Sequence, residues 1–294
     1  MNANVRPDAI RPAPWWLFVL LVAAKTVMSV LGNYWFVPSR VWEPLYVQSH
    51  GLVHPTLLGN VAIFIVVICG VLLWTGRRTP AELGIEPRKI PTGVIYTCVL
   101  WIVMQLVLAG LYVGFGKPLA IANGWIGLDV LKKVGSLLGQ LLGNALCEEI
   151  LFRGFLLMQC LLLFRSMWPH RPTRALMAAF CLAAAIFAVA HLPVQLRPGV
   201  YASLSKLGWD QVRIFVGACV YGWIYWQTRN LFFTVGVHAL ANVPTTLFAG
   251  HNLGPLTHPD VIGAVKFVLV ISITAAWHRL PATNWRADNY PFRG

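Results

Sequence analysis

Two adjacent glutamates and an arginine lie inside a strongly apolar stretch of the sequence, at Glu148, Glu149 and Arg153. A charged side chain at the centre of a bilayer costs about 2.5 to 3.5 kcal/mol, so such a group marks a functional site by default. On a helix, the four-residue spacing places Glu149 and Arg153 on one face, where they can form an ion pair. Glu148 is rotated about 100° from Glu149 and stays free to take part in chemistry.

Two of the eight histidines lie within or at the end of apolar stretches and are natural partners for Glu148. His191 follows Phe187 by four residues, and His238 precedes Asn242 by four, so each pair shares one face of its helix. Both pairs can therefore project into one space between helices. The sequence predicts that three helices converge on a polar site.

The composition is much more apolar than that of a soluble domain. Of the 294 residues, 57% are hydrophobic and 11% are charged, and among the ten acidic residues only Glu148 and Glu149 fall in strong apolar stretches. The net charge of +13 comes from Lys and Arg in the short connections between those stretches. This is the pattern of an integral membrane protein, and no basic stripe suggests a nucleic-acid partner.

The apolar stretches predict an all-α fold, a polytopic transmembrane bundle of about eight helices. A shallow amphipathic helix is expected before the fourth span, and a loop or interfacial segment over 32–56. The predicted spans are 15–31, 57–74, 95–115, 137–163, 176–190, 212–226, 231–249 and 261–277. Basic residues are more frequent on the side of the two termini, which predicts a plasma (inner) membrane protein with both termini in the cytoplasm.

The polar motifs of this chain resemble those of one known family of membrane proteins. On successive helices the chain carries, in this order, Glu148-Glu149-x-x-x-Arg153, Phe187-x-x-x-His191 and His238-x-x-x-Asn242. The pattern is similar to that of the CPBP family, also called Abi, which comprises type II CAAX prenyl endopeptidases and bacteriocin-processing or immunity proteins. The resemblance covers about residues 135–250. Three ordered motifs in one polytopic chain make it specific.

The resemblance implies an intramembrane protease that depends on a glutamate. Glu148 is then the general base that activates water, with the assistance of His191. His238 and Asn242 then donate hydrogen bonds to the oxyanion that forms when water adds to a peptide carbonyl. The implied substrate is a peptide or protein associated with the lipid bilayer, and the family's eukaryotic members act on prenylated CAAX proteins.

The sequence also predicts supporting roles and a division of the chain. Glu149 and Arg153 are expected either to orient the helix of the catalytic glutamate or to form an ion pair that only neutralises buried charge, and Phe187 is expected to have an orienting role. The expected parts are residues 1–134 with the first three spans and the interfacial helix, 135–250 with the protease core, and 251–294 with the last span and a cytoplasmic tail.

The same residues leave two alternatives open. Glu148, His191 and His238 can complete a zinc site with water as the fourth ligand, although no His-Glu-x-x-His motif is present, so the favoured scheme uses no cofactor. The charged cluster also suits a proton-coupled transporter, or a catalytically silent immunity or scaffold protein. No inverted repeat typical of transporters is visible, and every motif position of the family is filled, which favours the protease.

Overall fold

The computed structural model describes residues 10–197, 200, 201, 203–248 and 259–277, with side chains omitted for 259–262. In these residues the protein is a bundle of helices without a β-sheet, and Ile121 and Phe248 form an isolated antiparallel bridge. The predicted all-α polytopic transmembrane bundle is confirmed.

Helices make up most of the described chain. They are α1 (Trp15–Ser39), α2 (Glu43–Gln48), α3 (Pro55–Thr75), α4 (Ile90–Gly114), α5 (Asp129–Met167), α6 (Pro172–Val189), α7 (Leu204–Thr228), α8 (Leu231–Asn242) and α9 (Pro259–Ala276). Five of them, α1, α3, α4, α5 and α6, lie in segments long and apolar enough to cross a membrane. Helix α7 is not among them, because charged residues in its first turns lower its hydropathy, and the apolar helix α8 and the 263–276 part of α9 are shorter than these segments.

Two segments are more helical than the sequence predicts. Residues 32–56 contain the last turns of α1 and the short helix α2, where a loop or interfacial segment was expected. The aromatic residues after Leu31 extend the apolar character of α1, and the helix ends at Ser39, before Arg40, which has a φ of 55°. The predicted amphipathic helix and the fourth span are a single continuous helix, α5.

The seventh predicted span, 231–249, is wrong at its end, because α8 stops at Asn242. Pro244 disfavours the helical conformation for the residue before it, and Val243 accordingly has φ −116° and ψ 130°. The indole of Trp101 donates to the Thr245 carbonyl at 3.1 Å, and Gln105 Oε1 accepts from the Leu247 amide at 2.9 Å. These contacts replace the helical hydrogen bonds that the segment lacks.

Helix α5 is the central helix of the bundle. Every residue from Ile150 to Leu157 is buried, and all of them except Arg153 are apolar, as expected for a helix at the centre of a bundle. Helix α6 packs between α5 and α7, while α8 packs against α4 and α5. The two glutamates therefore lie where the helices that carry the histidines meet.

Glycines permit two close approaches that position these helices. A Cβ atom at Gly236 on α8 would lie 2.0 Å from Thr97 Oγ1 on α4. A Cβ atom at Gly154 on α5 would lie 2.0 Å from the carbonyl oxygen of Leu83. Small residues let helices approach this closely in membranes, so both glycines fix the distance of a helix from its neighbour.

Polar contacts fix the beginning of α1 to the connection after α3 and to α5. Arg78 and Gln159 donate to the Arg11 carbonyl at 2.7 and 3.1 Å, and the Arg11 guanidinium binds Glu82 at 2.9 Å. Burial by itself raises the pKa of Glu82, but hydrogen bonds from Arg11 and from the Thr79 amide lower that pKa to about 2. The Glu82 carboxylate is thus the anionic centre of this anchor.

Candidate active site

Glu148 lies between two histidines that come from other helices. His191 Nε2 is 3.8 Å from Glu148 Oε1, and His238 Nε2 is 3.8 Å from Glu148 Oε2. Glu148 is supplied by α5, His191 by the turn after α6, and His238 by α8. The structure therefore brings these three sequence-predicted residues to one place inside the bundle.

The backbone of the last turns of α6 orients the side chain of His191. Its Nδ1 is 2.8 Å from the carbonyl oxygen of Phe187, four residues earlier. A carbonyl oxygen can only accept a hydrogen bond, so Nδ1 carries the proton. In the neutral ring the lone pair of Nε2 then points towards Glu148. Phe187 thus sets the orientation of His191 through its backbone.

The second glutamate binds both a histidine and the arginine. Glu149 Oε1 is 2.7 Å from His238 Nδ1 and 3.2 Å from Arg153 Nη1, and Glu149 is completely buried. The ion pair with Arg153 has the helical spacing that the sequence predicts. The bond to His238 links α5 to α8, and sequence reasoning missed it because a spacing rule covers only one helix. Because the carboxylate accepts, His238 Nδ1 is the donor.

Directly after Glu149, the backbone of α5 has the wider hydrogen-bond pattern of a π-helix over Ile150–Leu157. Such widened turns are frequent at functional sites. Arg153 lies within this segment, is only 2% exposed, and also donates from Nη2 to the Ala218 carbonyl of α7 at 3.4 Å. The arginine therefore connects the glutamate helix to α7.

Asn242 lies apart from these groups. It is the last residue of α8, it is exposed, and its Nδ2 donates to Gln140 Oε1 of α5 at 3.1 Å. Gln140 precedes Glu148 by eight residues, about 12 Å along a regular helix. The structure thus joins Asn242 to the glutamate helix through Gln140, a partner that sequence reasoning did not identify.

Aromatic rings enclose the charged groups. The Phe187 ring is 4.5 Å from the His191 ring and 4.5 Å from Arg153 Cζ. The Tyr221 ring of α7 stacks on the His238 ring at 4.6 Å with an interplanar angle of 18°. Sequence reasoning did not identify Tyr221 as a candidate site residue. The signal that could have identified it is its position in the sixth predicted span, directly before Gly222.

A cavity of about 870 Å³ adjoins the site between α4, α7, α8 and α9. Most of its lining is apolar, including Met104, Val220, Leu240 and Val270, and Tyr221 also contributes to it. Tyr221 therefore separates His238 from this cavity.

No group of three or more His, Cys, Asp or Glu side chains arranged to hold a metal ion is found within the described part of the chain. Among the predicted zinc ligands, His191 Nε2 and His238 Nε2 each lie 3.8 Å from a different carboxylate oxygen of Glu148.

Residues 130–244 match the model of the Rce1-like family, type II CAAX prenyl endopeptidases. The matched segment begins in α5 and ends just after α8, so it contains Glu148, His191, His238 and Asn242. No curated protein and no solved structure matches the chain. The family match confirms the resemblance seen in the three motifs, and together with the five long apolar helices it indicates an integral membrane protein.

Proposed function

We propose that this CAAX-protease-like chain is an intramembrane endopeptidase that hydrolyses a peptide bond of a membrane-associated or lipidated protein or peptide. The observation that carries the proposal is the position of Glu148, which is 6% exposed and has a histidine Nε2 at 3.8 Å from each carboxylate oxygen. A buried carboxylate with histidine nitrogens nearby is suited to hold and activate a water molecule.

Glu148 and His191 are proposed to hold the attacking water. Their 3.8 Å separation exceeds a direct hydrogen bond, and one water can bridge the two atoms with bonds of ordinary length. The water donates one hydrogen to each acceptor, so its oxygen lone pair is directed at the substrate carbonyl. As the C–O bond forms, Glu148 takes the proton and later gives it to the leaving amine nitrogen.

His238 is proposed to stabilise the oxyanion of the tetrahedral intermediate. Its Nδ1 proton is held by Glu149, so Nε2 can donate only when the ring carries protons on both nitrogens. In that form the positive charges of His238 and Arg153 balance the negative charges of Glu148 and Glu149. Balanced charge matters here because an unpaired buried charge is costly.

The function itself is tested by comparing cells that express the wild-type protein with cells that express Glu148→Gln. New termini of membrane peptides, detected by terminal proteomics, are expected only with the wild-type protein. Identical sets of termini in both cell lines would show that the chain cleaves nothing in that membrane.

Asn242→Ala is expected to lower turnover by about 10²- to 10³-fold, the usual effect of losing one oxyanion donor. This role requires Asn242 to exchange its bond with Gln140 for one with the substrate. Asn144→Ala is the matched control, because Asn144 also donates to Gln140 Oε1, at 3.4 Å, and has no proposed role. The check is kcat on a peptide substrate in liposomes, and equal turnover of the two variants would remove Asn242 from the mechanism.

Exhaustive chelation of the purified enzyme is expected to leave its activity unchanged, because the proposed scheme uses hydrogen-bond donors rather than a metal. The rival zinc scheme has support of its own. Both Nε2 atoms face Glu148 and both Nδ1 atoms contact oxygens, as in metal-bound histidines. Elemental analysis accompanies the assay. Stoichiometric metal that is lost together with activity, and restored with it by added zinc, would establish the zinc scheme instead.

A further inference from the structure

A stack of three side chains, Phe187, Arg153 and Tyr221, connects the two histidines. Arg153 Cζ lies 4.5 Å from the Phe187 ring and 5.3 Å from the Tyr221 ring. Each of these rings also contacts a histidine, Phe187 at 4.5 Å from His191 and Tyr221 at 4.6 Å from His238. The guanidinium is thus placed between two rings that both reach the proposed catalytic groups.

We infer that Tyr221 is a positioning residue that holds the His238 ring in the orientation needed for the reaction. The inference rests on the proposed function. The hydrogen bond from Nδ1 to Glu149 and the covalent bond at Cγ hold one edge of the His238 ring, but they restrain rotation of the ring plane about that edge only weakly. A second ring lying nearly parallel, at 18°, blocks that rotation and keeps Nε2 directed at the space beside Glu148.

The surroundings of Tyr221 assign this role to its ring rather than to its hydroxyl. The ring faces both of the groups that bind Glu149, since it stacks on His238 and lies over Arg153. The same side chain lines the 870 Å³ cavity, so it also separates the His238 ring from an apolar space. Loss of the ring would therefore let His238 move towards the cavity.

The test separates ring from hydroxyl by comparing Tyr221→Phe with Tyr221→Leu in a peptide-cleavage assay. Tyr221→Phe is expected to keep kcat within about twofold of wild type, and Tyr221→Leu to lower it about tenfold, which corresponds to about 1.4 kcal/mol in the barrier. KM is expected to change less than about twofold, because an orientation effect on His238 acts on the chemical step. Wild-type kcat in Tyr221→Leu, or an equal loss in Tyr221→Phe, would overturn the inference.

The matched control is Tyr225→Leu. Tyr225 lies one turn further along α7, is buried, and its hydroxyl approaches Gly84 rather than a histidine. This variant is expected to lower the yield of folded protein without lowering kcat per folded enzyme. If Tyr221→Leu does not accumulate, Tyr221→Met replaces it, because methionine fills similar space without a ring.

A second measurement needs no proteolysis. Diethyl pyrocarbonate acylates the unprotonated nitrogen of a neutral histidine ring, which in His238 is Nε2, and the extent of modification is read by mass spectrometry. Tyr221→Leu is expected to react several-fold faster than the wild type and Tyr221→Phe at the wild-type rate, since only the former frees the ring. Equal rates in all three proteins would refute the positioning role. If the wild-type protein cleaves no peptide but the three proteins still show this pattern of modification rates, the proposed function is wrong and the positioning role stands.

Discussion

Glu148→Gln is expected to abolish peptide cleavage while the protein remains folded in the membrane. Glutamine has nearly the same shape and retains one acceptor oxygen, but it cannot take a proton from water. Loss of a general base typically costs about 10²- to 10⁴-fold in rate. The fold should tolerate the change, because the nearest histidine nitrogens are 3.8 Å from Glu148, beyond direct hydrogen-bond distance.

The measurement is kcat of the purified variant in liposomes, together with its thermal unfolding temperature. Glu43→Gln is the matched control, because that carboxylate lies on α2, is half exposed and pairs with the exposed Arg40. The control is expected to retain full activity. Substantial residual cleavage by Glu148→Gln, in protein that unfolds at the wild-type temperature, would remove Glu148 from the role of base.

Arg153→Ala is expected to lower the stability of the bundle by about 3 to 5 kcal/mol, the usual cost of removing one partner of a buried ion pair. Glu149 is completely buried, and its Oε2 has no hydrogen-bond partner among the residues that the structure describes. Without Arg153 the carboxylate would keep its hydrogen bond with His238 and lose its ion pair. The substitution would also leave a void between the rings of Phe187 and Tyr221.

The design compares Arg153→Ala with Glu149→Gln and with the double variant Glu149→Gln/Arg153→Met. Removing both charges is expected to cost less than the sum of the single changes, because neither charge is then left buried alone. Arg88→Ala is the control, since Arg88 pairs with Glu86 at the surface, where an ion pair contributes at most about 1 kcal/mol. The readouts are the yield of folded protein and its unfolding temperature. Normal yield and stability of Arg153→Ala would show that the pair is dispensable.

The sequence by itself determined the fold class and the position of the charged groups. In a bilayer every backbone polar group must be satisfied within the segment, so long apolar stretches form helices whatever their neighbours are. The first predicted span, 15–31, accordingly begins with α1 at Trp15. The pairing of Glu149 with Arg153 was also readable, because residues four apart on one helix are neighbours without any tertiary contact.

Helix ends and local hydrogen bonding could be predicted only in part from the sequence. The sequence contains Pro244, which ends α8 early, but an apolar run to residue 249 obscured it. Nothing in the composition of Ile150–Leu157 distinguishes a π-helical segment from an α-helical one. That choice depends on how a completely buried helix packs against its neighbours.

The contacts between helices were decided only by the tertiary structure. Spacing placed His238 and Asn242 on one face of α8, yet the fold pairs His238 with Glu149 and Asn242 with Gln140, at different levels of α5. The stacking of Tyr221 on His238 likewise depends on where α7 lies beside α8. The physical reason is range: a spacing rule relates side chains on one helix, whereas these partners are brought together by the packing of different helices.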